Sequence, residues 1–186
     1  MSLFSVRAAV VAVFLSAGVA AAAPPPAPFE SIDGGQIRLA DYAGHPVLVV
    51  NTASFCGYAY QFEGLQKLYD TYRAKGLVVL AVPSDDFNQE AGSDKEVKEY
   101  CQLTYGIDLP MTGITHVKGP EAHPFFAWVK AGTGFEPGWN FNKILLDPKG
   151  EVVATWGAGT KPMSAAITGK IEALLNYALH RPRPRA

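Results

Sequence analysis

Cys56 is the residue in this chain best placed to do chemistry. It stands in Asn51-Thr52-Ala53-Ser54-Phe55-Cys56-Gly57, after a continuous apolar run and before a helical pattern. A cysteine between a strand's carboxyl end and a helix's amino end meets free backbone N–H groups and the positive end of the helix dipole. Both favour a thiolate. Such a β-to-α loop is also where ligands reach open α/β sheets. The other reading of a lone cysteine is a small buried hydrophobe; the position in the chain favours function. Cys56-Gly57-Tyr58-Ala59 lacks the second thiol of a C-x-x-C pair, which disfavours dithiol exchange. A single thiolate suits attack on an electrophile such as a peroxide O–O bond, leaving a sulfenic acid. The second cysteine, Cys101, falls in another helical segment, with Tyr100 and Leu103 nearby. Three readings stay open for it: a thiol that resolves oxidised Cys56, a structural disulfide partner, or a core residue. The histidines at 45, 116, 123 and 180 show no metal-ligand spacing. Two cysteines cannot build a four-cysteine zinc site, so neither metal nor prosthetic cofactor is expected.

These thiols need elements to hold them. Residues 46–52 (PVLVVNT) and 77–82 (LVVLAV) read as strands covered on both faces. Between them, Phe62, Leu65, Leu68, Tyr69 and Tyr72 recur at helical spacing over 61–75, and Gly76 ends the helix. A right-handed crossover of this kind makes the two strands parallel. Residues 83–92 form a polar loop. Ser93 caps a helix over 94–104, with Glu96 completing a capping box. Short strands are expected over 37–39 and 114–117, and a helix over 122–130. Residues 142–147 and 152–156 read as a hairpin around Pro148-Lys149-Gly150. Pro162 reads as the opening turn of a closing helix that runs to about 179. The fold class is α/β, with a small central mixed β-sheet flanked by helices.

Composition excludes several functions. The 186 residues carry 16 Lys and Arg against 17 Asp and Glu, a formal net charge of −1. Nucleic-acid binding needs a basic excess that is missing. With 48% hydrophobic and 11% aromatic residues the chain can bury a core, so disorder is not expected. Residues 1–28 hold no acid, and Arg7 precedes an apolar, alanine-rich run from Ala8 to Ala23. That pattern reads as a signal peptide over 1–23, cleaved near 21–23, and predicts an exported protein, periplasmic or secreted. The run falls short of the ~20 residues of a spanning helix, so no stable membrane insertion is expected. A proline-rich lead-in (24–28), one domain (29–179) and a basic Pro/Arg tail (180–186) follow.

Longer motifs add a resemblance. Asn51 to Gly57, then Gln61, Leu65, Leu68-Tyr69 and Gly76-Leu77-Val78-Val79-Leu80 resemble the first half of a glutathione peroxidase. Phe87, Gln89-Glu90 and Gly92 resemble its next motif. Pro110-Met111, Ala122-His123-Pro124 and Trp139-Asn140-Phe141-Asn142-Lys143 follow in the family's order. The resemblance spans about residues 29–175. It implies a thioredoxin-like fold and a peroxidase site in its cysteine form, with Cys56 peroxidatic and Gln89, Trp139 and Asn140 beside it. An amide, an indole N–H and a second amide are neutral donors that stabilise a thiolate without taking its charge. The resemblance further implies reduction of hydrogen peroxide or organic hydroperoxides, with glutathione or a thioredoxin-like protein as the thiol co-substrate. Many cysteine-type relatives carry a resolving cysteine in the helix that here holds Cys101; theirs aligns with Gln102.

One loop departs from the family pattern. Pro83-Ser84-Asp85-Asp86-Phe87-Asn88-Gln89-Glu90-Ala91 is one residue short and has two acids where the family has Asn-Gln. Two carboxylates near Cys56 would oppose its thiolate and repel anionic glutathione; alternatively both face water. The short connection containing Gly132, Gly134 and Gly138 lacks the long insertion that supports tetramers in larger relatives, so a monomer is expected. Two other readings of the chain are an exported thioredoxin-like disulfide oxidoreductase and a non-catalytic redox-sensing module.

Overall fold

A computed structural model describes residues 27–179. The leader (1–23), most of the proline-rich lead-in and the tail (180–186) lie outside the described residues. The two apolar runs form β3 (Val47–Thr52) and β4 (Val78–Pro83), paired in parallel from Val47↔Val78 to Thr52↔Pro83. The crossover between them is α1 (Gln61–Tyr72), extended by a short 3-10 turn and stopped at Gly76 in the left-handed conformation (φ 103°). β5 (Lys143–Leu146) pairs antiparallel with β3, and β6 (Val152–Trp156) pairs antiparallel with β5. The sheet order is β4-β3-β5-β6, which is mixed as expected.

Alternation along β3 and β4 decides which layer each side chain joins. Leu48, Val50, Val79 and Ala81 face a core shared with α1, with α2 (Asp94–Tyr105) and with α4 (Ala165–Leu179). Val47, Val49, Leu80 and Val82 face the other side, against Phe125, Phe126 and Val129 of α3 (Pro124–Thr133). The result is a sheet with helices on both faces, and β3 and β4 are covered on both faces although β4 is an edge of the sheet. Phe29 opens a small hairpin of β1 (Phe29–Glu30) and β2 (Gln36–Ile37), and its ring stacks on His123 at 4.0 Å. His123 Nε2 donates to Pro28 O at 3.1 Å while Nδ1 accepts from Phe125 N, which selects one neutral tautomer.

Several expected boundaries are corrected. Residues 114–117 form no strand, because their backbone donors are taken by other groups: Ile114 N by Asp94, Thr115 N by Pro83 O and Val117 N by Asp86. Sheet-like contact moves instead to isolated bridges at Met111 and Thr112. The expected strand over 37–39 ends at Ile37, since Leu39 begins a 3-10 turn (Leu39–Tyr42). α3 begins at Pro124, not 122, with His123 capping Phe125 N. Pro162 precedes α4, which begins at Ala165; Ser164 O accepts from Ile167 and Thr168. Ser93 does cap α2, with its side chain accepting from Glu96 N.

Candidate functional site

Cys56 lies where β3 gives way to a run of turns. Ala59 N bonds Cys56 O, Gln61 N bonds Tyr58 O, and Phe62 N bonds Ala59 O, so the chain winds without a break into α1. The Cys56 side chain is 5% exposed. Its Sγ accepts a hydrogen bond from the Tyr58 backbone N–H at 3.4 Å. This is the kind of donor that the strand-to-helix position predicts.

Three separate segments converge on this turn. Phe55 N donates to Gln89 O at 2.9 Å, fixing the 84–92 loop against the residue before Cys56. Asn140 Nδ2 donates to Gln89 Oε1 at 3.1 Å, so the two amides meet directly. The Trp139 ring tilts against Phe87 of the same loop, 5.3 Å between centroids, and is 41% exposed. Asn140 is fully buried, and its Oδ1 has no partner. Among the described residues, none of these three side chains donates to Sγ in this state; the site is gathered but its amides bond one another.

The loop over 139–142 is held by Asn51, the penultimate residue of β3. Asn51 Nδ2 donates to Trp139 O at 2.9 Å, its Oδ1 accepts from Asn142 N at 3.0 Å, and its backbone O accepts from Phe141 N at 2.6 Å. Phe141 has a left-handed backbone (φ 61°), strained for a bulky residue, and this set of bonds keeps it there. Asn51 stands first in the Asn51–Gly57 motif. A polar amide ending an otherwise apolar buried strand is the signal that marks it.

The two acids of the shortened loop part ways: Asp86 is largely withdrawn from solvent, whereas Asp85 is exposed. Asp86 accepts from Val117 N at 2.6 Å and Lys118 N at 3.1 Å, and contacts His116 Nδ1 at 2.7 Å. Burial pushes the Asp86 carboxyl up, but His116 and the backbone N–H groups more than offset it and hold it below its usual range. Asp85 Oδ1 accepts from Glu90 N at 3.1 Å. Both carboxylates serve to fold the loop that presents Gln89.

Glu90 was also missed as a positioning group. Its Oε1 accepts from Ser54 N at 3.0 Å and Ala91 N at 2.9 Å, while Oε2 is buried without a partner. Burial is the main reason its carboxyl is pushed up. Cys101 is 1% exposed on the inner face of α2, whereas Gln102 is exposed. One helical step turns a side chain by ~100°, which separates the two positions. Burial, then the Glu90 charge, push the Cys101 thiol up to about 12. Both cysteines are free thiols.

Comparison with known proteins identifies the family of the whole domain. The family model described as glutathione peroxidase matches residues 27–130. A glutathione peroxidase of Lactococcus lactis subsp. cremoris is 43% identical over 136 residues, covering 70% of this chain and 87% of the relative. A hydroperoxy fatty acid reductase of Synechocystis is 38% identical over 156 residues, covering 78% and 91%. The crystal structure of Trgpx in apo form superposes with a TM-score of 0.64 at 28% identity, covering 81% of this chain and 94% of that one.

Proposed function

The chain belongs to the glutathione peroxidase family, and we propose that Cys56 is its peroxidatic residue, with Gln89, Trp139 and Asn140 completing the site. The protein is a thiol peroxidase with a thioredoxin-like fold; it reduces hydroperoxides with a thiol co-substrate. The observation that carries the site assignment is the Asn140–Gln89 bond at 3.1 Å on a loop tied to Phe55, which brings three distant segments to the Cys56 turn. In the reaction the Cys56 thiolate attacks one peroxide oxygen. The S–O bond forms as the O–O bond breaks. The other oxygen takes a proton and leaves as water or an alcohol, and Cys56 becomes a sulfenic acid. Neutral amide and indole donors suit both the thiolate and the departing oxygen. To donate to Sγ, the Gln89 and Asn140 amides exchange the bond they make to each other.

The substrate proposed is an organic hydroperoxide or hydrogen peroxide. The exposed rings of Phe55 and Trp139 near the site support an apolar substituent, as does the name of the Synechocystis relative. A small thiol such as glutathione, or a thioredoxin-like protein, returns the sulfenic acid to the thiol. Resolution through Cys101 requires α2 to open, because the thiol is buried and holds its proton up to about 12. The acid-free, apolar leader supports export to the periplasm or beyond, and the short connection from α3 to Trp139 supports a monomer. Stopped-flow tryptophan fluorescence on mixing with hydrogen peroxide tests the mechanism. A fast change lost in Cys56→Ser is expected; a change that persists in that variant would remove Cys56 from the reaction. Intact mass after the burst then separates the routes. A retained oxygen indicates an external thiol, and a loss of two hydrogens relative to the reduced protein indicates a Cys56–Cys101 disulfide.

A further inference from the structure

Lys143 is a fully buried lysine on β5, one residue beyond the 139–142 loop. An ammonium has three donors and no acceptor, and here all three acceptors are oxygens of neutral groups. Nζ donates to Gln61 Oε1 at 2.5 Å, Thr160 O at 2.6 Å and Ala158 O at 3.3 Å. Gln61 Nε2 donates to the same Ala158 O at 2.8 Å. Gln61 is the first residue of α1, reached directly from Cys56 through the run of turns. Lys143 therefore joins three things: the Cys56 turn, the segment that carries Trp139 and Asn140, and the loop after β6. Among the described residues no carboxylate forms an ion pair with it. Glu63 on α1 and Lys161 beyond β6 are exposed, and its sheet neighbours, Val50 on β3 and Trp156 on β6, carry no charge. A solitary buried cation is expensive to keep, so its retention calls for an account.

We propose that Lys143 is a positioning residue for the peroxide step, its ammonium pinning the Cys56 turn to the strand that presents Trp139 and Asn140. The inference rests on the peroxidase reading above. A neutral amine would turn a lone pair toward one of three carbonyl-type oxygens, and one arm of the pin would open. Burial brings the Lys143 ammonium down to about 8, so the pin releases in mildly alkaline solution. The linkage to stability has the opposite sign. Between about pH 8 and the ordinary lysine range the unfolded chain holds more protons than the folded one, so this group adds stability as pH rises. Reactivity and stability therefore part company above pH 8, which a merely structural lysine would not produce.

The test is the stopped-flow peroxide rate of the full chain from pH 6 to 10, with thermal unfolding on the same samples. The wild-type rate is expected to fall above about pH 8 while the folded state persists. Lys143→Met should lower the rate at pH 7 by about tenfold and lack that fall. Gln61→Glu places a carboxylate beside the ammonium and should move the fall upward by about one pH unit. A folded Lys143→Met within about twofold of wild type would overturn the proposal, as would an unmoved fall in Gln61→Glu. A wild-type rate no faster than free cysteine would instead overturn the peroxidase reading itself, and the inference with it.

Discussion

Cys56 and Cys101 sit in the same apolar layer, both almost wholly removed from solvent, yet their surroundings differ in kind. Beside Cys56 one backbone N–H, that of Tyr58, reaches Sγ. The nearby acids are already bonded: Asp85 to Glu90 N, Asp86 to Val117 N and Lys118 N. Around Cys101 the α2 backbone is satisfied by its own helix, and the nearest electrostatic influence is the Glu90 carboxylate. Burial raises the Cys101 thiol most, and the donors and charges facing each sulfur add to what burial does. A turn leaves N–H groups unspent, and a mid-helix position leaves none.

Cys56→Ser breaks the comparison most severely. Peroxide turnover should fall by about 10³-fold or more, read by a coupled peroxidase assay, whereas the fold is retained. Asn140→Ala removes the amide that meets Gln89 and should slow the peroxide step by about 10²-fold. A stopped-flow rate near wild type would place Asn140 in turn formation alone. Glu90→Gln preserves the acceptor for Ser54 N and Ala91 N but deletes the charge. Alkylation of Cys101 at pH 9 in the folded protein should then rise only a few-fold, because burial is the larger cause of its raised proton affinity and remains. The same variant reports on pH. Burial raises Glu90, so the folded state holds its proton longer, and wild-type stability falls as pH rises through that titration. Glu90→Gln should escape that fall and be the more stable of the two at neutral pH by denaturant titration. Cys101→Ala should have the smallest effect, about 1 kcal/mol of stability from a lost buried contact, with the first peroxide step unchanged.

Much of this molecule is legible in its sequence, for reasons that are local. The runs at 47–50 and 78–83 are apolar because both faces are covered, and α1 and α2 declare themselves by periodicity, Gly76 and the Ser93 cap. Cys56 stands out by its place between strand and helix, and Gln89, Trp139 and Asn140 by the family resemblance; Asn140 bonds Gln89, and the Trp139 ring packs on Phe87 of the same loop. The failures are non-local. No property of residues 114–117 reveals that Asp86 and Asp94 will take their donors from far along the chain. Likewise Lys143, Gln61 and Asn51 look ordinary until β5 lies beside β3, since their partners are supplied by other segments.

The pairing of β3 with β5 sets a timetable. Val47 has its parallel partner, Val78, close by in sequence, but its antiparallel partner, Leu146, lies far along the chain. Contacts between residues so far apart in sequence form late and slowly. Until they form, β3 keeps an open edge of the sort that invites pairing with another chain. The Cys56 turn meanwhile exists without Asn140, Trp139 or Lys143. The site is complete only where the β5–β6 hairpin lies against β3.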